Sequence, residues 1–124
     1  MEKHILIIED DQEISELFQM IFETVGYHTT VLNIAPNPEF IDKGGFHLIV
    51  MDIRLIGSRY NGNELCRLFK SSYPNNKTPV LLMSAESDGD ILARECGADG
   101  FMGKPFDVDN LLTRAFEMMV WHSY

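Results

Sequence analysis

The chain has 124 residues, and a chain of this length buries roughly two-thirds of its unfolded surface, so we expect one domain over residues 1–124. Ten basic residues stand against 19 acidic ones, and the net charge of −9 opposes direct binding to nucleic acid or to an anionic membrane. No apolar stretch has the length of a membrane helix or the pattern of a signal peptide, so we expect a cytoplasmic protein.

The first part of the chain alternates short apolar runs with helical patterns. Ile5–Ile8 is a β-branched apolar run that predicts a buried strand. A helix that Gly26 ends is predicted by apolar residues at helical spacing: Ile14, Leu17, Phe18, Ile21, Phe22 and Val25. Tyr27–Leu32 predicts a second strand, and the pair Asn37-Pro38 predicts the start of a short helix that reaches Lys43.

The middle of the chain repeats this alternation. His47–Met51 predicts a third strand, and the polar loop Leu55–Asn61 follows it. Asn63 is the predicted cap of a third helix, which ends near Pro74. Pro79–Met83 then predicts a fourth strand.

The last third of the chain supplies one more strand between two helices. A fourth helix is predicted from Asp88–Asp90 to Gly97, and Gly100–Gly103 predicts the fifth strand. Asp107 is the predicted cap of the last helix, whose apolar residues are in phase: Val108, Leu111, Leu112, Ala115, Phe116 and Met119. Strict alternation of strands and crossover helices predicts an α/β fold, a doubly wound parallel sheet with helices on both faces.

Polar side chains follow four of the five predicted strands. Glu9 and Asp10 follow the first strand, Asp52 the third, Ser84 the fourth and Lys104 the fifth. Because the carboxyl ends of parallel strands lie at one edge of a sheet, we expect these side chains to share a rim. Each alone is most often a helix cap, a turn residue or a surface charge, and their joint occurrence at four strand ends favours a site.

The chemistry of this set favours phosphoryl transfer. Carboxylates at one site hold Mg²⁺, or in its place Mn²⁺, because hard cations prefer oxygen ligands. Asp52 is then the candidate nucleophile that forms an aspartyl-phosphate. Lys104 and Ser84 are the candidate groups that stabilise the phosphoryl oxygens, by charge and by hydrogen bonding.

Five segments of the chain form a recognisable combination: Ile5-Leu6-Ile7-Ile8-Glu9-Asp10-Asp11, Leu48-Ile49-Val50-Met51-Asp52, Leu82-Met83-Ser84-Ala85, Gly97-Ala98-Asp99-Gly100-Phe101 and Lys104-Pro105-Phe106. Through these segments the whole chain resembles the receiver domains of bacterial two-component response regulators. The resemblance implies a single receiver domain with the flavodoxin-like strand order 2-1-3-4-5. It also implies that the module catalyses its own phosphorylation and dephosphorylation rather than acting as a classical enzyme.

The same resemblance implies a role for each site residue. Asp52 would take a phosphoryl group from a histidine of a sensor kinase or a histidine phosphotransfer protein. Glu9, Asp10, Asp52 and the backbone carbonyl of Arg54 would hold the metal. Ser84 would swing to the phosphoryl group, and Phe101 would turn inward with it. This movement would change the surface of helix four, strand five and helix five, where the family also forms homodimers on activation.

Further features follow from the comparison with the family pattern. The family commonly has a cis peptide bond before the proline at Pro105. It reaches a glycine eight positions after the phosphorylated Asp, whereas Gly62 lies ten positions after Asp52, so the loop Leu55–Asn61 is longer by about two residues. Arg54 and Glu86 occupy positions that tune hydrolysis of the aspartyl-phosphate, and we predict that an ion pair between them slows it.

Two other functions remain open at this stage. A Mg²⁺-dependent phosphatase of small molecules also uses a strand-end aspartate, but such enzymes need a second acid where Arg54 stands. A degenerate receiver that acts only as a scaffold would not need the full set of acids, hydroxyl and lysine. Cys66 and Cys96 lack metal-ligand spacing, and we expect buried free thiols.

Overall fold

A computed structural model describes residues 2–121 and contains five strands and five helices in strict alternation. The strands are β1 (His4–Ile8), β2 (His28–Leu32), β3 (Leu48–Asp52), β4 (Val80–Ser84) and β5 (Gly100–Gly103). The helices are α1 (Gln12–Thr24), α2 (Pro38–Lys43), α3 (Gly62–Ser72), α4 (Gly89–Glu95) and α5 (Val108–Trp121). Within this described part of the chain, no helix has both the length and the apolar character needed to cross a membrane.

The five strands form one parallel sheet in the order β2-β1-β3-β4-β5, which confirms the predicted fold class. The sheet divides the core into two layers. On one face, apolar side chains of α1 and α5 pack on the strands, as Phe22 of α1 and Leu111 of α5 do. On the other face, α2, α3 and α4 pack on the strands through residues such as Ile41, Phe69 and Ala93.

The central strands are buried on both faces, which explains their continuous apolar sequences. Every residue of Ile5–Ile8 and of Val80–Met83 lies in the core. Consecutive side chains point to opposite faces, so Leu6 joins the layer below α3 while Ile7 joins the layer below α1. The carboxyl ends of β1, β3 and β4 therefore come to the same edge with little freedom to move.

Some of the apolar residues that form the predicted stripe of α1 are not buried. Phe18 and Phe22 are in the core, whereas Leu17 and Val25 are largely exposed. Phe116 of α5 is likewise exposed despite being in phase with Leu111. The physical reason is that a helix packed on one face of a sheet buries only the part of its apolar stripe that meets the strands.

The predicted start of α3 is wrong by two residues. Asn63 lies inside the helix, and Asn61 is the residue that precedes it. The backbone N–H of Asn61 donates to the side chain of Glu64 at 2.9 Å, which is one half of a capping box. The N–H of Gly62 donates to the carbonyl of Ile53 at 2.7 Å. The loop after β3 therefore closes back on the residue that follows this strand, and α3 begins at that point.

Several other local predictions are confirmed. Asn37 precedes α2 with Pro38 as the first helical residue, and Asp107 accepts a hydrogen bond from the N–H of Asn110 at the start of α5. The Lys104–Pro105 peptide bond is cis. Cys66 on α3 and Cys96 after α4 are both buried and free.

Candidate functional site

The strand-end residues meet at the carboxyl edge of the sheet, as the topology requires. Glu9 follows β1, Asp52 is the last residue of β3, Ser84 is the last residue of β4, and Lys104 follows β5. The backbone N–H of Lys104 donates to the carbonyl of Ser84 at 2.8 Å and so continues the β4–β5 pairing into the site. We call this edge, with Asp10 added, the rim.

Three carboxylates of the rim form one cluster. Glu9, Asp10 and Asp52 each offer a ligand oxygen, and these atoms lie within 4.8 Å of one another. Asp11 takes no part, because its side chain caps α1 by accepting from the N–H of Ile14 at 3.2 Å. The residue that caps α1 is therefore Asp11, and Asp10 is not its helix cap.

Lys104 is the cation of the cluster. Its ammonium lies 2.6 Å from Glu9 Oε1 and 3.4 Å from Asp52 Oδ2, and only 16% of its side chain is exposed. Burial alone lowers the pKa of Lys104, but the hydrogen bond to Glu9 and the charge of Asp52 outweigh that effect and raise it. One ammonium thus faces two carboxylates, and the rim keeps an excess of negative charge.

Glu9 is the most buried acid of the rim, with 1% of its surface exposed. Burial raises the pKa of Glu9 to about 7, against the effect of the hydrogen bond from Lys104, and the neighbouring carboxyl groups of Asp10 and Asp52 add to the rise. A buried carboxylate beside two others is costly unless positive charge joins it. The donor set is therefore the kind that a hard divalent cation stabilises.

This raised pKa makes stability depend on pH when no divalent cation is present. We expect the free energy of unfolding to fall by on the order of 3 kcal/mol as the pH rises from about 4.5 to 7. In that range folded Glu9 holds a proton that the unfolded chain has lost, so each step toward higher pH favours unfolding. Urea unfolding in EDTA at several pH values measures the change.

The control for this prediction is a carboxylate outside the rim. Glu9→Gln, which cannot titrate, should give a flatter dependence than the native chain over the same range. Glu13→Gln, in the first turn of α1, should follow the native curve. Parallel curves for the native chain and Glu9→Gln would contradict the assignment of the raised pKa to Glu9.

Ser84 and Phe101 lie together beside the first turn of α4. The Ser84 hydroxyl accepts a hydrogen bond from the N–H of Glu86 at 2.9 Å, so it is engaged with the β4–α4 loop. A Cβ atom on Gly89 would come within 2.7 Å of the Phe101 ring and 2.9 Å of the Ser84 Cβ. Gly89, which the sequence did not single out, is therefore the contact through which this pair touches α4.

Arg54 and Glu86 form the predicted ion pair across the mouth of the rim. Arg54 Nη1 lies 3.1 Å from Glu86 Oε1, and both side chains are exposed. The pair joins the loop after β3 to the loop after β4. It stands two residues from Asp52 on one side and two residues from Ser84 on the other.

Two backbone contributions to the site have no signal in the sequence pattern. The N–H of Ile56 donates to Asp10 Oδ2 at 3.3 Å, so the long loop after β3 reaches back to the acidic cluster. Gly62 packs on the backbone of Asp52, and a Cβ there would lie 2.9 Å from the carbonyl carbon of Asp52. In the sequence, only the unusual spacing between Asp52 and Gly62 distinguishes this loop.

Comparisons with known proteins agree with this geometry. The family model described as the response regulator receiver domain matches residues 5–116. The transcriptional regulatory protein YkoG of Bacillus subtilis is 32% identical over 118 residues, which cover 92% of this chain and 50% of YkoG. The response regulator ArlR of Staphylococcus saprophyticus is 30% identical over 118 residues, which cover 93% of this chain and 51% of ArlR. The chain thus spans about half the length of these curated relatives.

A solved structure supports the same assignment. The receiver domain of NtrX from Brucella abortus superposes with a TM-score of 0.79 at 27% identity, covering 93% of this chain and 97% of that domain. The small-molecule phosphatase and the scaffold without a phosphoacceptor site are not favoured by these matches. The family match, the strand order and the rim lead to one conclusion: the chain belongs to the receiver domain family of two-component response regulators.

Proposed function

We propose that this receiver takes a phosphoryl group onto Asp52 from a phosphohistidine of a sensor kinase or of a histidine phosphotransfer protein. Receiver domains of response regulators generally depend on Mg²⁺ and interact with histidine kinases. The observation that supports the proposal for this chain is the meeting of Asp52 with two further acids and one partly buried lysine. Acids that only occupied exposed turns after the strands would not need to lie close to one another and to a lysine.

The carboxylates of Glu9, Asp10 and Asp52, with the backbone carbonyl of Arg54, are the groups that would hold Mg²⁺ or Mn²⁺. Their fit to a divalent cation follows from the three clustered oxygens and from the burial of Glu9. When bound, the cation supplies positive charge to the acidic cluster and to the phosphoryl oxygens. Glu9 serves as the anchor of this set, because it is buried and hydrogen-bonded to Lys104.

The chemical step is a displacement at phosphorus by a carboxylate oxygen of Asp52. The bond from that oxygen to phosphorus forms while the bond from phosphorus to the donor nitrogen breaks, and the electron pair stays on that nitrogen. The phosphohistidine reacts with a proton on its other ring nitrogen, so the imidazole leaves as a neutral group. Asp52 is suited to this role because its carboxyl group lies beside the Lys104 ammonium and at the end of β3. Lys104 stabilises the negative charge of the phosphoryl oxygens.

The same residues provide a switch. A phosphoryl group on Asp52 adds negative charge and acceptor oxygens beside Ser84, whose hydroxyl now accepts from the Glu86 backbone. Turning that hydroxyl to donate to the phosphoryl group gives up the loop contact and alters the packing of Phe101 on Gly89. The change therefore reaches α4 and the surface that α4 shares with β5 and α5.

Several expectations beyond the family assignment belong to this proposal. They are the extent of one receiver domain over residues 1–124, a cytoplasmic location, and an output that does not involve direct nucleic acid binding by this chain. Homodimerisation through α4, β5 and α5 after phosphorylation is part of it as well. Size-exclusion chromatography with and without beryllofluoride, which mimics a phosphoryl group, measures that last step.

The Arg54–Glu86 pair is expected to slow hydrolysis of the aspartyl-phosphate. Removing the side chain in Arg54→Ala should shorten the lifetime of the phosphorylated protein about two- to fivefold, because an exposed ion pair contributes only about 0–1 kcal/mol. The physical reason is that the pair closes one approach for water between the loops after β3 and β4. The decay of phosphorylated protein under fixed Mg²⁺, followed by intact mass, measures the lifetime.

Arg59 offers a control for this prediction. It lies in the same loop and stacks on the ring of Tyr60 rather than joining the two loops. Arg59→Ala should leave the lifetime unchanged. An unchanged lifetime in Arg54→Ala would refute the role assigned to the pair.

The test of the proposed function is labelling with acetyl phosphate. The native chain should gain the mass of one phosphoryl group in Mg²⁺ and none in EDTA, and peptide mapping after reduction of the acyl phosphate should place it at Asp52. Equal labelling in both conditions, or none in either, would overturn the proposal. No labelling in either Mg²⁺ or EDTA would instead match a scaffold without phosphoacceptor activity.

A further inference from the structure

The long loop after β3 begins with a well-defined turn. The N–H of Ser58 donates to the carbonyl of Leu55 at 3.1 Å, and Gly57 has a φ of +85°. Within the described residues every positive φ belongs to a glycine, so Ile56 has a negative φ. This combination defines a type II turn in which Ile56 is the second residue and Gly57 the third.

Three hydrogen bonds tie this turn to the rest of the molecule. The N–H of Ile56 donates to Asp10 Oδ2 at 3.3 Å, and Ser58 Oγ accepts from the N–H of Ala35 at 2.8 Å. The N–H of Leu55 donates to Asn61 Oδ1 at 3.3 Å. The turn is thus attached at the acidic cluster, at the loop after β2 and at the start of α3.

The contribution of Ile56 to the rim is its backbone amide. Its side chain is 72% exposed and so contributes little to the core. Asp10, in contrast, is only partly buried and is one of three clustered acids with Glu9 and Asp52. Repulsion from the Asp52 carboxylate, and from Glu9 once it has lost its proton, favours rotation of Asp10 toward water, and a fixed donor beside Oδ2 opposes that rotation.

We propose that the Leu55–Ser58 turn positions Asp10 for the metal through the Ile56 amide. The inference rests on the proposed function, because it deepens the account of the same metal site. A donor on one carboxylate oxygen fixes the orientation of the group and leaves its other lone pairs for the cation. The amide reaches Asp10 from the loop that makes the spacing between Asp52 and Gly62 unusually long, so we expect this loop to influence the metal affinity of this chain.

The turn type provides a substitution that removes only the donor. Proline is favoured at the second position of a type II turn and has no N–H, so Ile56→Pro keeps the turn and deletes the bond to Asp10. Ile56→Ala keeps the N–H and removes a similar amount of exposed side chain. We expect Ile56→Pro to raise the Mg²⁺ dissociation constant about 3- to 10-fold and Ile56→Ala to change it less than about twofold.

Calorimetric titration of metal-stripped protein with Mg²⁺ measures both constants. Thermal unfolding in EDTA should give the same midpoint for the two variants, which separates positioning of Asp10 from general damage. In the native chain, Mg²⁺ should also shift the amide resonance of Ile56 in a ¹⁵N correlation spectrum. Ser58→Ala, which loosens the turn at Ala35, should weaken Mg²⁺ binding to a smaller extent and provides a second test.

The outcomes distinguish this inference from the proposed function. If the native chain does not bind Mg²⁺, or if Asp10→Asn binds it equally well, the metal site itself is wrong and the inference falls with it. If Asp10→Asn loses affinity while Ile56→Pro and Ile56→Ala bind equally, the site stands and the positioning role is wrong. Affinity lost in Ile56→Pro alone, with an unchanged unfolding midpoint, supports the inference.

Discussion

Asp52→Asn is expected to reduce Mg²⁺-dependent labelling by acetyl phosphate about a hundredfold or more, to the level of the EDTA control. An amide oxygen is a far weaker nucleophile than a carboxylate, and the substitution also removes one of the three acidic ligands of the cluster. The change preserves volume, and Lys104 keeps its shorter contact to Glu9 at 2.6 Å. We therefore expect the fold to persist, and intact mass reports the loss directly.

The matched control is an acid beside the rim. Asp11→Asn removes one charge at the same end of the sheet, and asparagine caps a helix about as well as aspartate, so α1 should be unaffected. This variant should label like the native chain. Residual labelling of Asp52→Asn at a large fraction of the native level would show that another residue accepts the phosphoryl group.

Gly62→Ala is expected to destabilise the fold by at least about 2 kcal/mol and to weaken Mg²⁺ binding at the same time. The added methyl group would overlap the carbonyl oxygen of Asp52 and lie 2.9 Å from its carbonyl carbon and 3.1 Å from the Ile53 Cα. All three atoms are backbone, so no side chain can turn away to make room. Either α3 or the end of β3 must shift, and the end of β3 carries the phosphoacceptor.

Gly103→Ala is the control for this prediction. It lies on β5 next to Lys104, and the nearest atom to an added Cβ, the carbonyl oxygen of Ser84, is 3.9 Å away. We expect its free energy of unfolding to stay within about 0.5 kcal/mol of the native value, or to rise slightly because the unfolded chain loses freedom. Chemical denaturation measures both variants. A Gly62→Ala protein as stable as Gly103→Ala would show that the contact with Asp52 is not close.

The alternation of strands and helices can be predicted from the sequence because each element carries its own local signal. Apolar runs such as Ile5–Ile8 identify strands buried on both faces, and the periodicity around Phe18 and Phe22 identifies a helix. Parallel pairing then follows from the strict alternation. The strand order came from the resemblance to a family rather than from these patterns.

The candidate site was predictable only in part. Side chains at strand ends, such as Asp52 and Ser84, could be assigned to one rim because topology places all carboxyl ends together. The start of α3 was predicted at Asn63 rather than after Asn61, because capping residues of similar preference lie two positions apart in the sequence. The amide of Ile56 escaped prediction, since a backbone donor is available at every residue and only the folded turn selects one.

Lys104 is held by contacts at its backbone N–H and at its side-chain ammonium, so it connects two parts of the molecule. Its backbone N–H is bonded to the carbonyl of Ser84, while its ammonium contacts Glu9 and Asp52. One residue therefore links the main chain of β4 with the side chains that follow β1 and end β3. We expect a change in the charge of Asp52 to alter the position of the ammonium, and the backbone of Lys104 connects that ammonium to β4, the strand that leads to α4.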